Sequence, residues 1–333
     1  MRGVSPTPPS PFVSTGSLPP AEQVQQWVDD AHERFRGPAD GAVSDVYPAL
    51  ARMPPDLLGI SVVGTSGRTF EAGAATHPFT IMSVSKPFVL ALICERIGAD
   101  QAIEQLGADA TGLPFNSLAA IEQHGGVTNP MVNPGAIATT SLIPGCGVEE
   151  RWAFLREGLE CFAGRELALD DEVYTCAMET NTRNRSIAAL LQSYDALSGD
   201  ADEAIDLYTR QCSLLVTAHD LAVMGSTLAD GGVHPVTGRR VVSAETCHHA
   251  LAVMLTAGMY ETSGRWLASV GLPAKSGISG GIVTVSPGKG ALATFAPRLD
   301  AAGNSVQGQE VARYLSARLG LDLLLSAPAA RED

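Results

Sequence analysis

Strand-forming segments lie near both ends of this chain, and a long stretch of helix-type sequence separates them. "LLGISVVG" (57 to 64), the turn "TSG" and "RTFEAG" predict one β-hairpin. "GIVTVS", "PGKG" and "ALATFAP" (281 to 297) predict a second. The sequence from 83 to about 260 is mostly helical in pattern, for example "SIAALLQSYDAL" and "AHDLAVMGSTLADGG". The two hairpins can share a sheet only if the chain returns to that sheet after a large helical insertion.

Helical segments also flank the two hairpins. "PAEQVQQWVDDAHERFR" (20 to 36) spaces its apolar residues, from Val24 to Phe35, as an amphipathic helix does, and "GQEVARYLSARLGLDLLL" predicts a final helix. The pattern predicts an α+β fold, with an antiparallel sheet built from N- and C-terminal strands and flanked by helices. The predicted units are a flexible tail at 1–19, a sheet subdomain at 20–82 and 261–325, a helical subdomain at 83–260, and a second tail at 326–333.

Composition and charge exclude several classes of partner. A formal net charge of -14 repels a phosphate backbone and leaves no basic patch for an anionic membrane. Hydrophobic residues make up 45% of the chain, which is too apolar for disorder, while runs such as "FVLALIC" are too short to span a bilayer. The opening "MRGVSPTPPSPFVSTGSLPP" lacks the apolar core of a secretory signal. We therefore expect a soluble, cytoplasmic globular protein that does not bind nucleic acid.

Cysteine and histidine spacing gives no indication of a metal site. The six cysteines are scattered without a CxxC pair, so we expect reduced residues within the core and no disulfide framework. The seven histidines include no HxxxH or HExxH pair, and adjacent His248 and His249 would point about 100° apart on a helix. The sequence therefore predicts no zinc or other metal.

The segment "FTIMSVSKPFVLALICERIG" (79 to 98) carries the first candidate for chemistry. Ser83 and Lys86 form an S-x-x-K pair where polar sequence gives way to an apolar run, and an i, i+3 spacing would bring the two side chains together. S-x-x-K alone is a weak signal, because "SPGK" (286 to 289) matches it inside a turn. The alternative is that Ser83 caps a helix and Lys86 is a solvated surface lysine.

Lysine usage favours chemistry over that alternative. The chain has three lysines against 19 arginines, so an ordinary surface cation would be an arginine. A buried ammonium can lose its proton and act as a base, whereas a guanidinium cannot. Lys275-Ser276-Gly277 also matches the K-[ST]-G element that serine acyl-transfer enzymes with an S-x-x-K nucleophile place beside the site. The G-x-S-x-G match at 277 to 281 is rejected, because a strand pattern follows it instead of a helix.

Motifs along the chain now show a family resemblance, which covers roughly residues 20 to 320. The sequence resembles the serine-dependent glutaminases, an amidohydrolase family with a β-lactamase-like fold. Besides "SVSK", the motifs that carry the resemblance are "GLPFNS" (112 to 117), "NPMVNPGAI" (129 to 137), "RNRSIAALL" (183 to 191), "YTRQCSLLVTAHDLAVMGSTLADGGVHPVTG" (208 to 238), "GMYETSG" (258 to 264), "GLPAKSGISGGI" (271 to 282) and "GNSVQG" (303 to 308).

The resemblance implies an assignment for the reacting groups. Ser83 would be the nucleophile, Lys86 the base that activates it, and the Tyr260 hydroxyl a proton relay. The backbone amides of Ser83 and Ile278 would form the oxyanion hole. The implied reaction hydrolyses L-glutamine to L-glutamate and ammonia without metal or cofactor, and the family suggests a homodimer or homotetramer.

The resemblance also implies which polar groups hold the amino-acid end of glutamine. These are Asn133, Asn184 and Tyr208, with Ser83, Tyr260 and Ile278 also in contact with substrate. The structural alternatives stay open: Tyr208 and Tyr260 could be core aromatics, and the two asparagines could be turn or cap residues.

The sequence departs from the family pattern at the substrate's α-ammonium. Cys176 and Ala177 occupy the positions where the family has a Ser-Glu pair, and that glutamate pairs with the ammonium. Glu179 would point about 200° away from position 177 on a continuous helix. Met82 replaces the usual glutamine before the nucleophile, "NPG" replaces "NAG" after Asn133, and "AP" (296 to 297) replaces "SP". These changes leave the acyl-transfer groups in place.

Three functions are therefore compatible with the sequence. The first is an L-glutaminase, and the second is an amidohydrolase of the same fold that acts on another amide. The third is a catalytically weak homologue that serves as a metabolite-binding subunit or as a subunit of an assembly. A secreted penicillin-interacting enzyme shares the S-x-x-K and K-S-G elements but is disfavoured by the missing export signal.

Overall fold

A five-stranded antiparallel sheet organises the computed structural model, which describes residues 16–326. In that sheet the strands lie in the order β3-β2-β8-β7-β6. The strands of the described chain are β1 Ala42–Val43, β2 Gly59–Gly64, β3 Thr69–Gly73, β4 Phe79–Thr80, β5 Leu215–Val216, β6 Ala274–Ser276, β7 Gly281–Ser286, β8 Gly290–Phe295 and β9 Arg298–Leu299.

Helices occupy most of the chain between β4 and β6 and cover the sheet. The α-helices are α1 Ala21–Phe35, α2 Pro48–Ala51, α3 Lys86–Ile97, α4 Ala99–Leu106, α5 Leu118–Gln123, α6 Asn133–Ser141, α7 Val148–Ala163, α8 Asp171–Thr180, α9 Thr182–Ser193, α10 Ala201–Cys212, α11 Ala218–Ala229, α12 Ala244–Ala257, α13 Ser263–Val270 and α14 Val306–Leu319. Two 3-10 helices, Met82–Ser85 and Tyr260–Thr262, lie at the two ends of this helical region.

The pairing of β2 with β8 joins the two ends of the chain. Ile60 lies opposite Thr294 and Val62 opposite Leu292 in an antiparallel register. Every residue of β2, β7 and β8 is buried, because α11 packs on one face of the sheet and α1 and α14 pack on the other. The two faces belong to two hydrophobic clusters, a larger one shared with the helical region and a smaller one under α1 and α14.

This architecture confirms the predicted α+β fold class, including a sheet built from both ends of the chain. The two predicted hairpins are β2–β3 and β7–β8, and the predicted first helix is α1. The last helix was predicted too long: α14 ends at Leu319, and Gly320 follows it with a left-handed φ of +63°. The division into sheet and helical subdomains stays a prediction, and residues 1–15 and 327–333 of the predicted tails lie outside the described residues.

One sequence expectation about the cysteines is wrong. Cys94 and Cys247 are buried, but Cys146 and Cys161 are exposed, so the six free cysteines are not uniformly core residues. Both exposed cysteines lie in or beside α7, whose outer face points to solvent. From residue 16 to residue 326, no helix combines the length and apolarity needed to cross a membrane.

Candidate active site

Ser83 lies in the 3-10 helix that directly precedes α3. Met82, just before it, has a φ of +47°, a conformation that costs a non-glycine residue energy and that is enriched at functional sites. Gly277, after β6, approaches closely: a Cβ there would lie 3.0 Å from Val84 Cγ2 and 3.2 Å from Ile81 O. The absence of a side chain at position 277 therefore lets the end of β6 pack against the turn that holds Ser83.

Lys86 is the first residue of α3 and is only 2% exposed. Its Nζ donates to Asn133 Oδ1 at 2.8 Å and to Met131 O at 3.5 Å. Burial lowers the pKa of Lys86 to about 8. The solvated surface lysine of the alternative interpretation is thus wrong, and Ser85 instead of Ser83 precedes the helix. The amine hydrogen-bonds Asn133, and the described contacts include no Lys86–Ser83 hydrogen bond.

Tyr260 stands beside a second buried lysine. Its φ is +53°, and its hydroxyl donates to Ser276 O at 3.1 Å. Burial raises the pKa of the Tyr260 phenol, while the nearby Ser83 side chain lowers it. Lys275 is fully buried, with its Nζ 4.4 Å from the centroid of the Tyr260 ring, and donates to Gly258 O and Ser276 O. Burial, assisted by the charge of Lys86, lowers the pKa of Lys275 well below its usual value.

A chain of side-chain amides continues from Lys86 across the site. Asn133 Oδ1 accepts hydrogen bonds from Lys86 and from the Tyr208 hydroxyl, the latter at 3.2 Å. Asn133 Nδ2 donates to Asn184 Oδ1 at 3.0 Å, and Asn184 Nδ2 donates to Asn181 Oδ1 at 2.6 Å. Asn181 then donates to Thr209 Oγ1 at 3.0 Å. Each amide is held by its neighbours, so the groups facing the pocket are positioned before a ligand arrives.

These residues surround a pocket of about 280 Å³. Of the predicted site residues, Ser83, Asn133, Asn184, Tyr208 and Ile278 line it, whereas Lys86 and Tyr260 are not among its lining residues. The backbone N–H of Ile278 lies outside any helix or strand and donates to no acceptor among residues 16–326. It is therefore free to donate to a group bound in the pocket.

The pocket also has lining residues that the sequence analysis missed. Tyr47, Asn116, Asn181 and Arg183 all line it. Asn181 and Asn184 are three residues apart, a spacing that indicates side-chain contact near a helix start, and it could have identified Asn181. Tyr47 reaches the pocket from just before α2, far away in sequence, and no local pattern signals this.

Position 177 lies within the same pocket. Ala177 is 3% exposed and lines it, whereas Glu179 is exposed and does not. Because α8 is continuous from Asp171 to Thr180, Glu179 points away as the helical geometry predicts. Glu179 therefore does not take the place of a carboxylate at 177. Within the described chain, no group of three His, Cys, Asp or Glu side chains is placed to hold a metal ion.

Three features of this structure are typical of hydrolases with the β-lactamase-like fold. They are the antiparallel sheet with its large helical insertion, the serine one helical turn before a buried lysine, and the K-S-G segment on the adjoining strand. The family follows from comparison with known proteins. The chain belongs to the glutaminase family of amidohydrolases, because the glutaminase family model matches residues 41–324. The predicted family resemblance is confirmed.

Individual relatives agree with this membership. The chain is 61% identical over 318 residues to Glutaminase 2 of Yersinia pestis, covering 95% of this chain and 94% of that protein. It superposes on the solved structure of the probable glutaminase YbaS with a TM-score of 0.90 and 44% identity, covering 92% and 99% of the two chains. The Bacillus subtilis glutaminase YbgJ, solved as a covalent complex with 5-oxo-L-norleucine, has a TM-score of 0.81 and 30% identity, with coverage of 92% and 100%.

Proposed function

We propose that this protein hydrolyses the γ-carboxamide of L-glutamine to give L-glutamate and ammonia, through an ester between the glutamyl group and Ser83. The observation that carries the proposal is the burial of Lys86 beside the serine turn without a carboxylate partner. A pKa of about 8 leaves an appreciable neutral fraction near neutral pH, and only the neutral amine can accept a proton.

The proposed reaction has two halves. In the first, the Ser83 hydroxyl gives its proton to Lys86 as Oγ attacks the amide carbon, and the resulting oxyanion accepts from the backbone N–H groups of Ser83 and Ile278. The Tyr260 hydroxyl donates its proton to the departing nitrogen, which leaves as ammonia, and the protonated Lys86 returns a proton to the phenolate and becomes neutral again. In the second, water attacks the ester, Lys86 accepts its proton, and Ser83 Oγ regains a hydrogen as glutamate leaves.

The amino-acid end of the substrate is proposed to bind the amide chain. Asn133, Asn184 and Tyr208 present fixed donors and acceptors at the pocket surface, which suits a carboxylate and a polar nitrogen. Since Asn133 also accepts from Lys86, the same amide links substrate binding to the position of the proposed base. No metal or cofactor has a part in the proposed reaction.

A second candidate function is hydrolysis of a different amide by the same groups. Ala177 favours it, because an alanine cannot pair with an α-ammonium. A homologue that binds a metabolite with little catalysis is the third possibility and would show binding without turnover. Assembly as a homodimer or homotetramer and a cytoplasmic location also stay proposals, of which light scattering on the purified protein tests the first.

Covalent labelling tests the chemistry directly. 6-Diazo-5-oxo-L-norleucine reacted covalently with YbgJ, so we expect it to add one 5-oxo-norleucyl group to this protein, on the peptide that contains Ser83. Ser83→Ala should abolish both the label and ammonia release from glutamine. Ser193→Ala changes an exposed serine on α9 and serves as the matched control. Labelling elsewhere, or ammonia release by Ser83→Ala at the wild-type rate, would overturn the proposal.

A further inference from the structure

The pocket beside Ser83 has an unusual charge for an acidic protein. The chain carries 36 aspartates and glutamates, yet none of the described residues lining this pocket is acidic. Arg183 lines it, and Lys86 lies behind its wall. We propose that the pocket selects glutamine derivatives whose α-nitrogen carries no positive charge, the class of N-acyl-L-glutamines, over free L-glutamine. This inference rests on the proposed function, since it assumes amide hydrolysis at Ser83.

Two carboxylates close to Tyr260 accept hydrogen bonds from the backbone and do not line the pocket. Glu261 and Asp300 are close enough to Tyr260 to influence its phenol, but neither lines the pocket. Glu261 Oε1 accepts from the backbone N–H of Phe115 at 3.1 Å, and Asp300 Oδ1 accepts from the N–H groups of Ala302 and Asn304. An α-ammonium bound in the pocket would therefore lose water without gaining a charged partner, which disfavours its binding.

Arg183 offers a binding group for the α-carboxylate of the substrate. Its Nε donates to Asn116 O at 2.9 Å, which fixes the plane of the guanidinium at the pocket. Among residues 16–326 it forms no salt bridge, so its remaining N–H groups can bind a carboxylate in the planar, paired geometry that arginine favours. An N-acyl-glutamine keeps the α-carboxylate that this arginine would bind and removes the ammonium that it would repel.

Apolar side chains near position 177 form a wall against which the acyl group can pack. Val46, Tyr47, Val173 and Ala177 are among the apolar residues that line the pocket. Met82 and Val173 belong to one small hydrophobic cluster, against which Tyr47 packs. Val46 is 55% exposed, so part of this wall is open to solvent. A short acyl chain can cover this wall, and its burial would add to binding.

Steady-state kinetics of the unmodified protein test the preference. We expect kcat/KM for ammonia release from N-acetyl-L-glutamine to exceed that from L-glutamine by about tenfold or more, since the two differ only at the α-nitrogen. Glutaramate, which lacks the nitrogen altogether, should lie between them, because it avoids the buried charge but does not cover the apolar wall. A wild-type preference for free L-glutamine would overturn the inference.

Substitutions at position 177 test whether charge at the α-nitrogen causes the substrate preference. Ala177→Glu should shift the preference toward free L-glutamine by about a hundredfold, because it supplies a partner for the ammonium. Ala177→Gln has nearly the same size without the charge and should leave the charge preference in place. If both variants shift it equally, size and not charge governs selection, and the inference fails. Arg183→Gln should lower activity on both substrates, because both carry the α-carboxylate, and should lower it less on free L-glutamine, because it also removes the repulsion of the ammonium.

Glu261→Gln tests whether the Glu261 carboxylate binds the α-ammonium. The substitution removes the charge, and glutamine can still accept the hydrogen bond from Phe115. A selective loss of activity on free L-glutamine would show that Glu261 binds the ammonium, and would contradict the inference. The proposed function fails separately: it falls if neither substrate releases ammonia and Ser83 takes no label. Labelling of Ser83 with turnover that favours L-glutamine would leave the proposed function standing and reject only the preference.

Discussion

Two walls of the same pocket differ in how they are built. Backbone geometry fixes the wall that carries Ser83: Met82 and Tyr260 both have left-handed φ angles and are buried, and two buried lysines lie under the surface. The wall that carries Asn133, Asn184 and Arg183 is half-exposed, and side-chain hydrogen bonds fix it. The first depends on the fold as a whole, whereas the second can change through single side chains.

This difference predicts how substitutions on the two walls will act. Left-handed residues cost about 1–3 kcal/mol each and persist only when surrounding structure enforces them, so a substitution that disturbs the backbone around Ser83 should affect the reacting groups. On the opposite wall, Ala177 lies in the regular helix α8, so its side chain can be replaced without a change in the backbone. Substitutions on the first wall should therefore lower kcat, and substitutions on the second should act on KM and on substrate choice.

The largest expected effect comes from Lys86→Arg. The guanidinium keeps the positive charge but cannot be deprotonated near neutral pH, so kcat should fall by about three orders of magnitude or more. The fall in kcat is measured as the rate of ammonia release from the preferred amide. Lys289→Arg makes the same chemical change outside this pocket and should leave kcat unchanged. Retention of more than about a tenth of wild-type kcat in Lys86→Arg would remove Lys86 as the base.

Tyr260→Phe is expected to have the next largest effect. Phenylalanine keeps the ring between Phe115 and Lys275 and removes only the hydroxyl that donates to Ser276 O. If that hydroxyl relays the proton to the leaving nitrogen, kcat should fall about 10²- to 10⁴-fold with a nearly unchanged KM. An ester substrate with a better leaving group should be affected less, because it needs no protonation. Equal losses on amide and ester would argue against the relay.

The pH dependence should give a smaller but diagnostic effect. Below a pKa of about 8, Lys86 is mostly protonated and cannot act as a base. Activity should therefore rise about tenfold per pH unit up to about pH 8 and then level off. A rate profile of kcat/KM from pH 6 to 9 measures it, with glutaramate as a second substrate that has no titrating amine. A flat profile on both substrates would show that Lys86 is not the group that must be neutral.

The fold class could be predicted from the sequence because the patterns that indicate its hairpins and helices are local. Each hairpin has its own turn, and α1 has its own apolar spacing, so neither depends on distant residues for recognition. The pairing of β2 with β8 could be predicted only from the location of the strands at both chain ends. The end of α14 was missed because the apolar "LDLLL" continues beyond Gly320, although a glycine commonly ends a helix.

The sequence predicted only some of the residues of the candidate site, because those residues come from both neighbouring and distant segments of the chain. Ser83 and Lys86 are neighbours in sequence, so their spacing is informative, while Tyr47 and Arg183 enter the pocket from separate segments. The left-handed φ values of Met82 and Tyr260 have no sequence signal, because neither residue is a glycine or an asparagine. Burial of Lys86 could be anticipated only indirectly, from the rarity of lysine in the chain.

The smallest expected effect comes from Asn181→Ala, which tests whether the two walls act separately on KM and kcat. Asn181→Ala removes the acceptor for Asn184 Nδ2, so Asn184 should keep only its bond from Asn133 and be held less firmly, while Ser83 and Tyr260 are untouched. We expect KM to rise about five- to tenfold with kcat nearly unchanged, the cost of one hydrogen bond to a partly buried amide. Thr209→Val removes the next bond along the chain and should raise KM less. Urea unfolding of both variants would identify any general loss of stability. If Asn181→Ala instead lowers kcat at constant KM, the amide chain positions the reacting groups as well as the substrate, and the separation of the two walls is wrong.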